Sequence, residues 1–550
     1  MVWFASLEDS FCRLFPRKWL NLKDIFNLLI RKRKKTTFSR LVALSFFAPT
    51  CSLGYDATSY MNQLAPTVSS FRRKIAIFFV AGSLALFGGQ GRANELPQLG
   101  QDAASIISPY EERQIGEEAM VQIRHSLDFV DDAELTYYLQ QLGTRLTSHL
   151  AYRPHEFQFF LIAHPEINAF AIPGGFVGVH TGLITKARNE SEVAAVLAHE
   201  ISHVTQRHWP RMVAAQKDRA GATMAAILAS IVIAGSGNPN GAGVAMAAMA
   251  ANTDSQLAFT RSFEREADRI GIQLLADSDY DVTAMASFFE RLGAESGYSG
   301  ANLPEFVRTH PVTTDRIAEA RNNEKRFKHL HLKPSVEFVH LRARINALFQ
   351  GDPSNAVKLF QAEIKNNAST LETRAARYGL GIALMNLGDF AAARKEIDTL
   401  RQQYPDFLQY QVLEADLDLA AGKTQDGLRA YDHIYKNHSS TTWVVQHYAE
   451  MLVANKQPRT ALKVLKPALR SHPKNPALNK LMASASGDTG DLVQAHRSMA
   501  EYYFLNGNRH AAIEQLEIAE RNAGKDYYAL SAIKARKNEI KQGLAPATKP

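Results

Sequence analysis

The sequence predicts an α+β domain, mostly helical with a small sheet, followed by an all-α solenoid of paired helices. Residues 108–150 space their apolar side chains as amphipathic helices do. Residues 157–184 are instead rich in Phe, Ile and Val around a Pro-Gly-Gly turn, which is typical of strands. From about residue 335 a 34-residue period replaces both patterns and indicates repeated helix pairs.

Charge separates the beginning of the chain from the rest. The 550 residues include 63 Lys and Arg and 55 Asp and Glu, of which 14 and 4 fall within residues 1–93. The rest of the chain therefore holds 49 cationic and 51 anionic residues and is slightly acidic. This balance excludes a nucleic-acid binder, which the overall pI near 9.2 would otherwise suggest.

The cationic beginning has the order of a secretory signal peptide. In FRRKIAIFFVAGSLALFGGQGRANELP, basic residues precede an apolar run and a small-residue cleavage site, with Ala93 as the predicted last residue removed. We therefore expect a periplasmic protein, with Met61 as the true start and residues 1–60 as an over-extension. Both cysteines, Cys12 and Cys51, lie in the part removed. No later apolar run is long enough to span a bilayer.

Residues 94–330 are predicted to form the α+β domain. Asp131-Asp132 breaks the first helical stretch into two helices, and Pro173-Gly174-Gly175 turns the strand stretch into a hairpin. The segment 221–251 contains two short Ala/Met-rich runs around a Gly/Asn/Pro turn. Each run is too short to span a bilayer, which favours a buried helical hairpin. The alternative is a mobile apolar lid, or a surface that contacts a membrane or unfolded substrate peripherally.

Residues 335–540 are predicted to form the solenoid, followed by a flexible tail at 541–550. Small residues recur every 34 positions and allow paired helices to approach closely, namely Ala393, Gly427, Ala461 and Ala495. The same period marks the expected turns within the pairs, at Gly388, Gly422, Lys456 and Gly490. This register predicts tetratricopeptide-like repeats. Gly507 falls half a period after Gly490, so we expect an irregular or capping end there.

The stretch NESEVAAVLAHEISHVTQRHWP is predicted to be one helix. Asn189 serves as its N-cap, Glu192 completes a capping-box pattern, and the helix ends before Pro210. His199 and His203 are therefore one helical turn apart on one face, where both imidazoles can bind the same cation.

The stretch LAHEISHVTQRH also places Glu200 beside this histidine pair, where the carboxylate can hold and deprotonate the attacking water. This is the HExxH arrangement of zinc peptidases. A third ligand is available in TRSFEREADRIGIQLL, where Glu264 precedes Asp268 by one turn. Glu264 can bind the metal while Asp268 accepts the second N–H of a ligating histidine and fixes its tautomer. The alternative for this run is a solvated helix face with internal ion pairs.

The HExxH helix, the later ExxAD helix and the upstream NAFAIPGG resemble the metallopeptidase family that includes the CAAX prenyl protease and the heat-shock membrane peptidase. With a signal peptide and C-terminal repeats, the chain is most similar to the periplasmic members of that family. The resemblance implies a zincin-like fold and one Zn²⁺ per chain. It makes His199, His203 and Glu264 ligands, Glu200 the catalytic base and Asp268 a supporting catalytic residue.

The same resemblance directs attention to VRTHPVTTDR. It implies that His310 is a regulatory fourth ligand that holds the enzyme inactive. It also implies that Arg316 reaches the active site and stabilises the oxyanion. From the residues alone, a histidine before Pro311 is equally well a solvated residue at the start of a helix.

The leading hypothesis is thus an exported zinc endopeptidase whose repeat domain selects its clients. Substrate would bind in extended form along the strand at 168–172, although Phe170 and Ile172 also suit ordinary sheet core. The resemblance implies unfolded or stalled outer-membrane β-barrel proteins as substrates and the barrel-assembly machinery as partner. The alternative from a different class is a chaperone or scaffold with a structural or silenced zinc site.

Overall fold

The computed structural model describes residues 107–214, 254–297, 304–330, 332–349, 351–366 and 370–542. Its first part contains α1 (Pro109–Ser126), α2 (Ala133–Ser148), β1 (Gln158–Ile162), β2 (Ala169–Ile172), β3 (Phe176–His180), α3 (Thr181–Lys186), α4 (Glu190–Thr205), α5 (His208–Ala214), α6 (Asp254–Asp277), α7 (Thr283–Gly297), α8 (Glu305–Thr309) and α9 (Thr314–Glu324). A mostly helical domain with one small sheet is therefore confirmed.

Local sequence signals set the ends of the first two helices. Ser108 caps α1 in a reciprocal capping box with Glu111, and Pro109 lies in the first turn, where it requires no N–H partner. Asp132 caps α2 by accepting a hydrogen bond from the Leu135 backbone N–H at 2.9 Å. The predicted break at Asp131-Asp132 is confirmed.

The sheet has the strand order β1-β3-β2, in which β1 pairs with β3 in parallel and β2 pairs with β3 antiparallel. Gly174 and Gly175 turn the β2–β3 hairpin with φ values of 84° and 87°, a backbone region that glycine enters without a Cβ penalty. The predicted hairpin is confirmed, and β2 is an edge strand of this sheet.

Both ends of α4 differ in detail from the prediction. Asn189 caps it as expected, but the Glu192 carboxylate accepts from the Arg188 backbone N–H at 2.8 Å rather than from the cap residue. The helix ends at Thr205 because Arg207 adopts a left-handed conformation with φ 52°. Pro210 lies in the first turn of α5, a position that tolerates proline, and does not itself end α4.

The second part is helical throughout its described residues. It contains α10 (Val336–Phe349), α11 (Pro353–Lys365), α12 (Thr370–Asn386), α13 (Phe390–Gln403), α14 (Leu408–Ala420), α15 (Thr424–Asn437), α16 (Thr442–Ala454), α17 (Pro458–Ser471), α18 (Pro476–Asp488), α19 (Leu492–Leu505), α20 (Arg509–Asn522) and α21 (Tyr527–Gln542). The helical solenoid after the α+β domain is confirmed.

The 34-residue period coincides with the backbone conformation of the turns. All four predicted turn residues have positive φ, at 78°, 81°, 56° and 84° for Gly388, Gly422, Lys456 and Gly490. Because Lys456 adopts the same positive φ as the three glycines, the repeating feature is the backbone conformation of the turn and not the residue type. Gly507, half a period after Gly490, makes a further tight turn with φ 81°, after which α20 and α21 follow as helices. The irregular or capping end expected there stays a prediction.

The repeat helices also contact the first part of the chain. Ala133 of α2 belongs to an apolar cluster with repeat residues such as Tyr448. Beside it lies a set of four polar side chains that we call the interdomain cluster, formed by Asp132, Glu134, Arg344 and Tyr378. Further along, Arg509 pairs with Glu117 of α1 at 2.6 Å. The backbone of Glu117 also lies close to Gly507. A Cβ atom at position 507 would be only 2.6 Å from the Glu117 backbone carbonyl oxygen.

Three predicted features lie outside the described residues. They are the signal peptide within residues 1–93, the apolar segment 221–251 and residues 543–550 of the tail. Among the helices that are described, none combines the length and apolar character needed to cross a bilayer.

Candidate metal centre

The helix α4 carries the HExxH motif through the middle of the α+β domain. His199 and Glu200 are buried, and His203 is partly exposed at the end of the same face. The Nε2 atoms of His199 and His203 lie 3.0 Å apart, as expected for residues one turn apart that point to a common site.

The helix α6 packs against α4 and brings Glu264 to the histidine pair. Its carboxylate oxygens lie 3.4 Å from the Nε2 atoms of both His199 and His203. Gly271 allows this approach, because a Cβ there would lie 2.9 Å from the Met285 methyl and 3.2 Å from the His199 backbone nitrogen.

His310, the C-cap of α8, completes the arrangement. Its Nδ1 lies 3.0 Å from Glu264 Oε1 and 3.3 Å from His199 Nε2, while its Nε2 is 3.5 Å from Glu200 Oε1. The ring stacks on Phe306, with centroids 5.1 Å apart. The structure thus places His310 at the site and not in open solvent.

We call His199, His203, Glu264 and His310 the metal cluster. One ligand atom from each of the four residues lies within 4.8 Å of the other three. Three imidazole nitrogens and one carboxylate form a donor set that suits a divalent transition metal. Glu200 adds a second indication, since its Oε1 is buried yet has no hydrogen-bond partner among the described residues.

Asp268 fixes the orientation of His199. The Nδ1–H of His199 donates to Asp268 Oδ1 at 2.9 Å, which leaves the Nε2 lone pair directed into the cluster. Burial lowers the pKa of His199, but hydrogen bonds and charges from Asp268 and Glu264 outweigh it and raise that pKa to about 10. The two carboxylates therefore require positive charge at this point, which a bound cation supplies in place of the proton.

Arg316 reaches the cluster from α9. Its guanidinium donates to both oxygens of Asp268, at 2.7 and 2.8 Å, and its Nη1 lies 2.9 Å from Glu264 Oε2. Burial raises the pKa of Glu264, but the charges of His310 and Arg316 outweigh it and hold that pKa well below its usual range. The arginine thus keeps Glu264 and Asp268 ionised and fixed in place, in addition to the oxyanion role predicted for it.

No sequence pattern indicated His208, which supports His203 from the side opposite the cluster. The Nδ1 atoms of His203 and His208 lie 3.0 Å apart, and His208 Nε2 lies 3.2 Å from Glu266 Oε2. His208 is buried and stacks on Phe263 at 4.3 Å. It lies in the same LAHEISHVTQRH stretch. Because the chain turns at Arg207, the spacing of a continuous helix does not predict its contact with His203.

Comparison with known proteins identifies both parts. Peptidase family M48 matches residues 133–324, and a tetratricopeptide-repeat family matches residues 345–406. The chain belongs to peptidase family M48 and is a metalloendopeptidase whose catalytic domain is followed by tetratricopeptide repeats.

Two relatives match most of this chain, and a third matches one third of it. The β-barrel assembly-enhancing protease of Escherichia coli (strain K12) is 32% identical over 452 residues, which cover 82% of this chain and 92% of that protein. The protein of the same name from Yersinia pestis is 31% identical and covers 77% and 87%. The mitochondrial metalloendopeptidase OMA1 of Schizosaccharomyces pombe is 30% identical over 182 residues, covering 33% of this chain and 51% of that protein.

Proposed function

We propose that this chain is a periplasmic zinc endopeptidase that degrades misassembled outer-membrane β-barrel proteins and assists their assembly. The observation that carries the peptidase proposal is the metal cluster together with the adjacent Glu200 Oε1, which is buried and accepts no hydrogen bond from the described residues. Imidazole and carboxylate donors suit zinc better than the all-oxygen sites that Mg²⁺ and Ca²⁺ prefer. The relatives named β-barrel assembly-enhancing protease, matched over most of their length, support the client class and the location.

Glu200 is the proposed general base. Zinc, when bound by His199, His203 and Glu264, supplies a lowered water pKa and polarises the scissile carbonyl. Glu200 takes the proton of the attacking water and later returns it to the leaving amine. Its buried Oε1 accepts no hydrogen bond from the described residues, and His310 Nε2 faces it at 3.5 Å.

Asp268 and Arg316 keep this arrangement rigid. Asp268 holds His199 in the tautomer that binds metal, and Arg316 holds Asp268 through two hydrogen bonds. Arg316 carries a fixed positive charge next to the reacting carbonyl, which favours the negative charge that develops on its oxygen.

The edge strand β2 is the proposed binding site for the extended substrate. It packs beside α4, and among the described strands it pairs with β3 alone. Main-chain hydrogen bonds to an edge strand depend little on the side chains of the bound peptide. Such low sequence specificity suits an enzyme that acts on many unfolded segments.

His310 is the proposed latch. Its position in the metal cluster means that a substrate carbonyl must displace it before cleavage. The same contact also favours the second candidate, a scaffold whose metal site stays closed, because a site filled by four protein ligands resembles a structural zinc site.

The test compares the chain without its signal peptide with two variants, Glu200→Gln and His310→Ala. We expect about one zinc per chain in all three, faster cleavage of an unfolded outer-membrane barrel protein by His310→Ala, and no cleavage by Glu200→Gln. Loss of a general base typically costs about 10²- to 10⁴-fold in rate. Zinc binding without cleavage by any variant would instead establish the scaffold.

A further inference from the structure

The helix α17 presents a row of four cationic side chains. Arg459, Lys463, Lys466 and Arg470 follow the spacing 4, 3, 4, which places them on one face of the helix. All four are exposed, and α17 contains no acidic residue. Within the described part of the chain, no carboxylate forms an ion pair with any of them. We call these four residues the cationic row.

Neighbouring repeats balance their charges at the same register. Position 466 corresponds to Asp432 in α15 and to Asp398 in α13, which lie 34 and 68 residues earlier. In α15 this aspartate pairs with Lys436 at 2.5 Å. In α17 the aspartate is replaced by Lys466, so four like charges stand at i, i+3 and i+4 spacing, which destabilises a helix. This cost is expected where the charges serve a ligand.

A groove lies beside the C-terminal half of this row, between α17, α18 and α19. It encloses about 380 Å³, and its lining includes Lys466 and Arg470 together with the apolar side chains of Leu469 and Met482, which we call its floor. A second cavity of about 430 Å³ adjoins it at Leu469 and leads to Arg497. Cationic rims above apolar floors fit a polypeptide with both acidic and apolar side chains.

The surroundings distinguish a peptide from an anionic membrane. The groove has an internal volume that an extended segment can occupy and that a flat bilayer surface cannot enter. No large apolar side chain of α17 is exposed for insertion into a bilayer.

We propose that the cationic row and its groove bind an extended segment of alternating acidic and apolar residues in the client protein. This inference rests on the proposed function, in which the repeat region engages clients. The row spans about 16 Å at 1.5 Å per residue, about the length of five extended residues. Alternation places acidic side chains against the row and apolar ones in the groove.

The probe is a short fluorescein-labelled peptide of alternating Glu and Val, measured by fluorescence anisotropy with the Glu200→Gln chain so that no cleavage interferes. The test variant is Lys466→Asp, which restores the aspartate of the two preceding repeats and is therefore compatible with folding. The matched control is Arg429→Asp, an exposed residue of α15 with the same change in charge.

We expect Lys466→Asp to weaken peptide binding by about three- to tenfold, because exposed charge pairs contribute modestly and this change replaces attraction by repulsion. Arg429→Asp should bind the peptide like the parent chain. Added salt should weaken binding by the parent more than by Lys466→Asp. A Lys-Val peptide should not bind, and a Glu-Ser peptide should bind less tightly than Glu-Val because it leaves the groove floor uncovered.

Equal affinities for Lys466→Asp and Arg429→Asp would overturn the proposal and make the row an ordinary solvated face. Binding to phosphatidylglycerol vesicles without binding to the peptide would also overturn it, in favour of a membrane surface. The proposed function fails separately, if the chain with Glu200 intact cleaves no barrel protein. If the chain cleaves a barrel protein but peptide binding does not depend on the cationic row, only the proposal about the row fails.

Discussion

Two clusters of largely buried charged side chains occur in the described part of this molecule, and they differ in whether their polar atoms have hydrogen-bond partners. In the interdomain cluster, Arg344 donates to both Asp132 oxygens and to the Tyr378 hydroxyl, which lies 3.1 Å from Glu134. In the metal cluster, imidazole nitrogens face one another at 3.0–3.3 Å beside Glu200 Oε1, which accepts no hydrogen bond from the described residues. The first cluster is complete without a ligand, and the second is not.

The difference lies in how each cluster balances its charge. Arg344 is a fixed cation, and its fork of donors matches the Asp132 carboxylate. The histidines of the metal cluster are cations only when protonated, so an added metal can replace their protons. In this molecule, a cluster of charged residues therefore indicates a ligand site only where several imidazole and carboxylate lone pairs converge and no N–H or O–H group lies between them.

The largest expected effect is from Arg344→Leu, which removes the cation of the interdomain cluster. It leaves the Asp132 and Glu134 carboxylates, which are 14% and 11% exposed, without a cation, and we expect a loss of about 3–5 kcal/mol in the free energy of unfolding. Chemical denaturation measures this. The control Arg429→Leu, at an exposed site, should change it by less than about 0.5 kcal/mol. Similar values for the two variants would show that the interdomain cluster contributes no more than a surface pair.

Metal addition tests the other cluster. Zinc at about 100 times its dissociation constant should raise the free energy of unfolding of the parent chain by about 2.7 kcal/mol, because only the folded state presents the site. A chelator should reverse this, and His203→Ala should abolish it. Arg344→Leu should keep the whole response, since its cluster binds no metal. A response that survives in His203→Ala would place the metal elsewhere.

His208→Phe tests how far the metal cluster extends. Phenylalanine keeps the stacking on Phe263 but removes the Nδ1 atom that accepts from His203. Loss of such a partner typically lowers metal affinity by about 10- to 100-fold, which chelator competition measures.

The control for that substitution is His180→Phe, a buried ring that packs on His164 and Phe170 instead. Its metal affinity should stay at the parental value. The thermal midpoint of the metal-free protein should be similar in His208→Phe and the parent. Unchanged affinity together with a lowered midpoint would mean that His208 only fills space.

Short-range sequence patterns predicted the helices, the hairpin and the repeat register, because each depends on residues within one turn or one period. They also predicted the HExxH pair, which one helix positions. The contact between Asp132 and Arg344 joins residues 212 positions apart and has no local signal. His208 was missed for a different reason: a single left-handed residue, Arg207, carries the chain from α4 into a new direction.

The smallest effect concerns pH and compares two buried histidines. Burial and the Arg374 charge lower the pKa of His340 to about 4, although its hydrogen bond to the Val336 carbonyl opposes them. His340 Nε2 also lies 2.6 Å from the Tyr410 hydroxyl, so the neutral ring has partners at both nitrogens. His199, beside two carboxylates, instead has its pKa raised to about 10.

The sign of the effect at His340 follows from its lowered pKa in the folded state. The unfolded chain takes up the proton as pH falls below about 6.5, whereas the folded chain resists protonation until about pH 4. Stability should therefore fall by about 1 kcal/mol between pH 7.5 and 5.5 through this residue. Denaturation of the parent and His340→Gln at both pH values measures it. The parent should lose more stability than the variant, and equal losses would show that His340 is protonated in the folded protein as readily as in the unfolded chain.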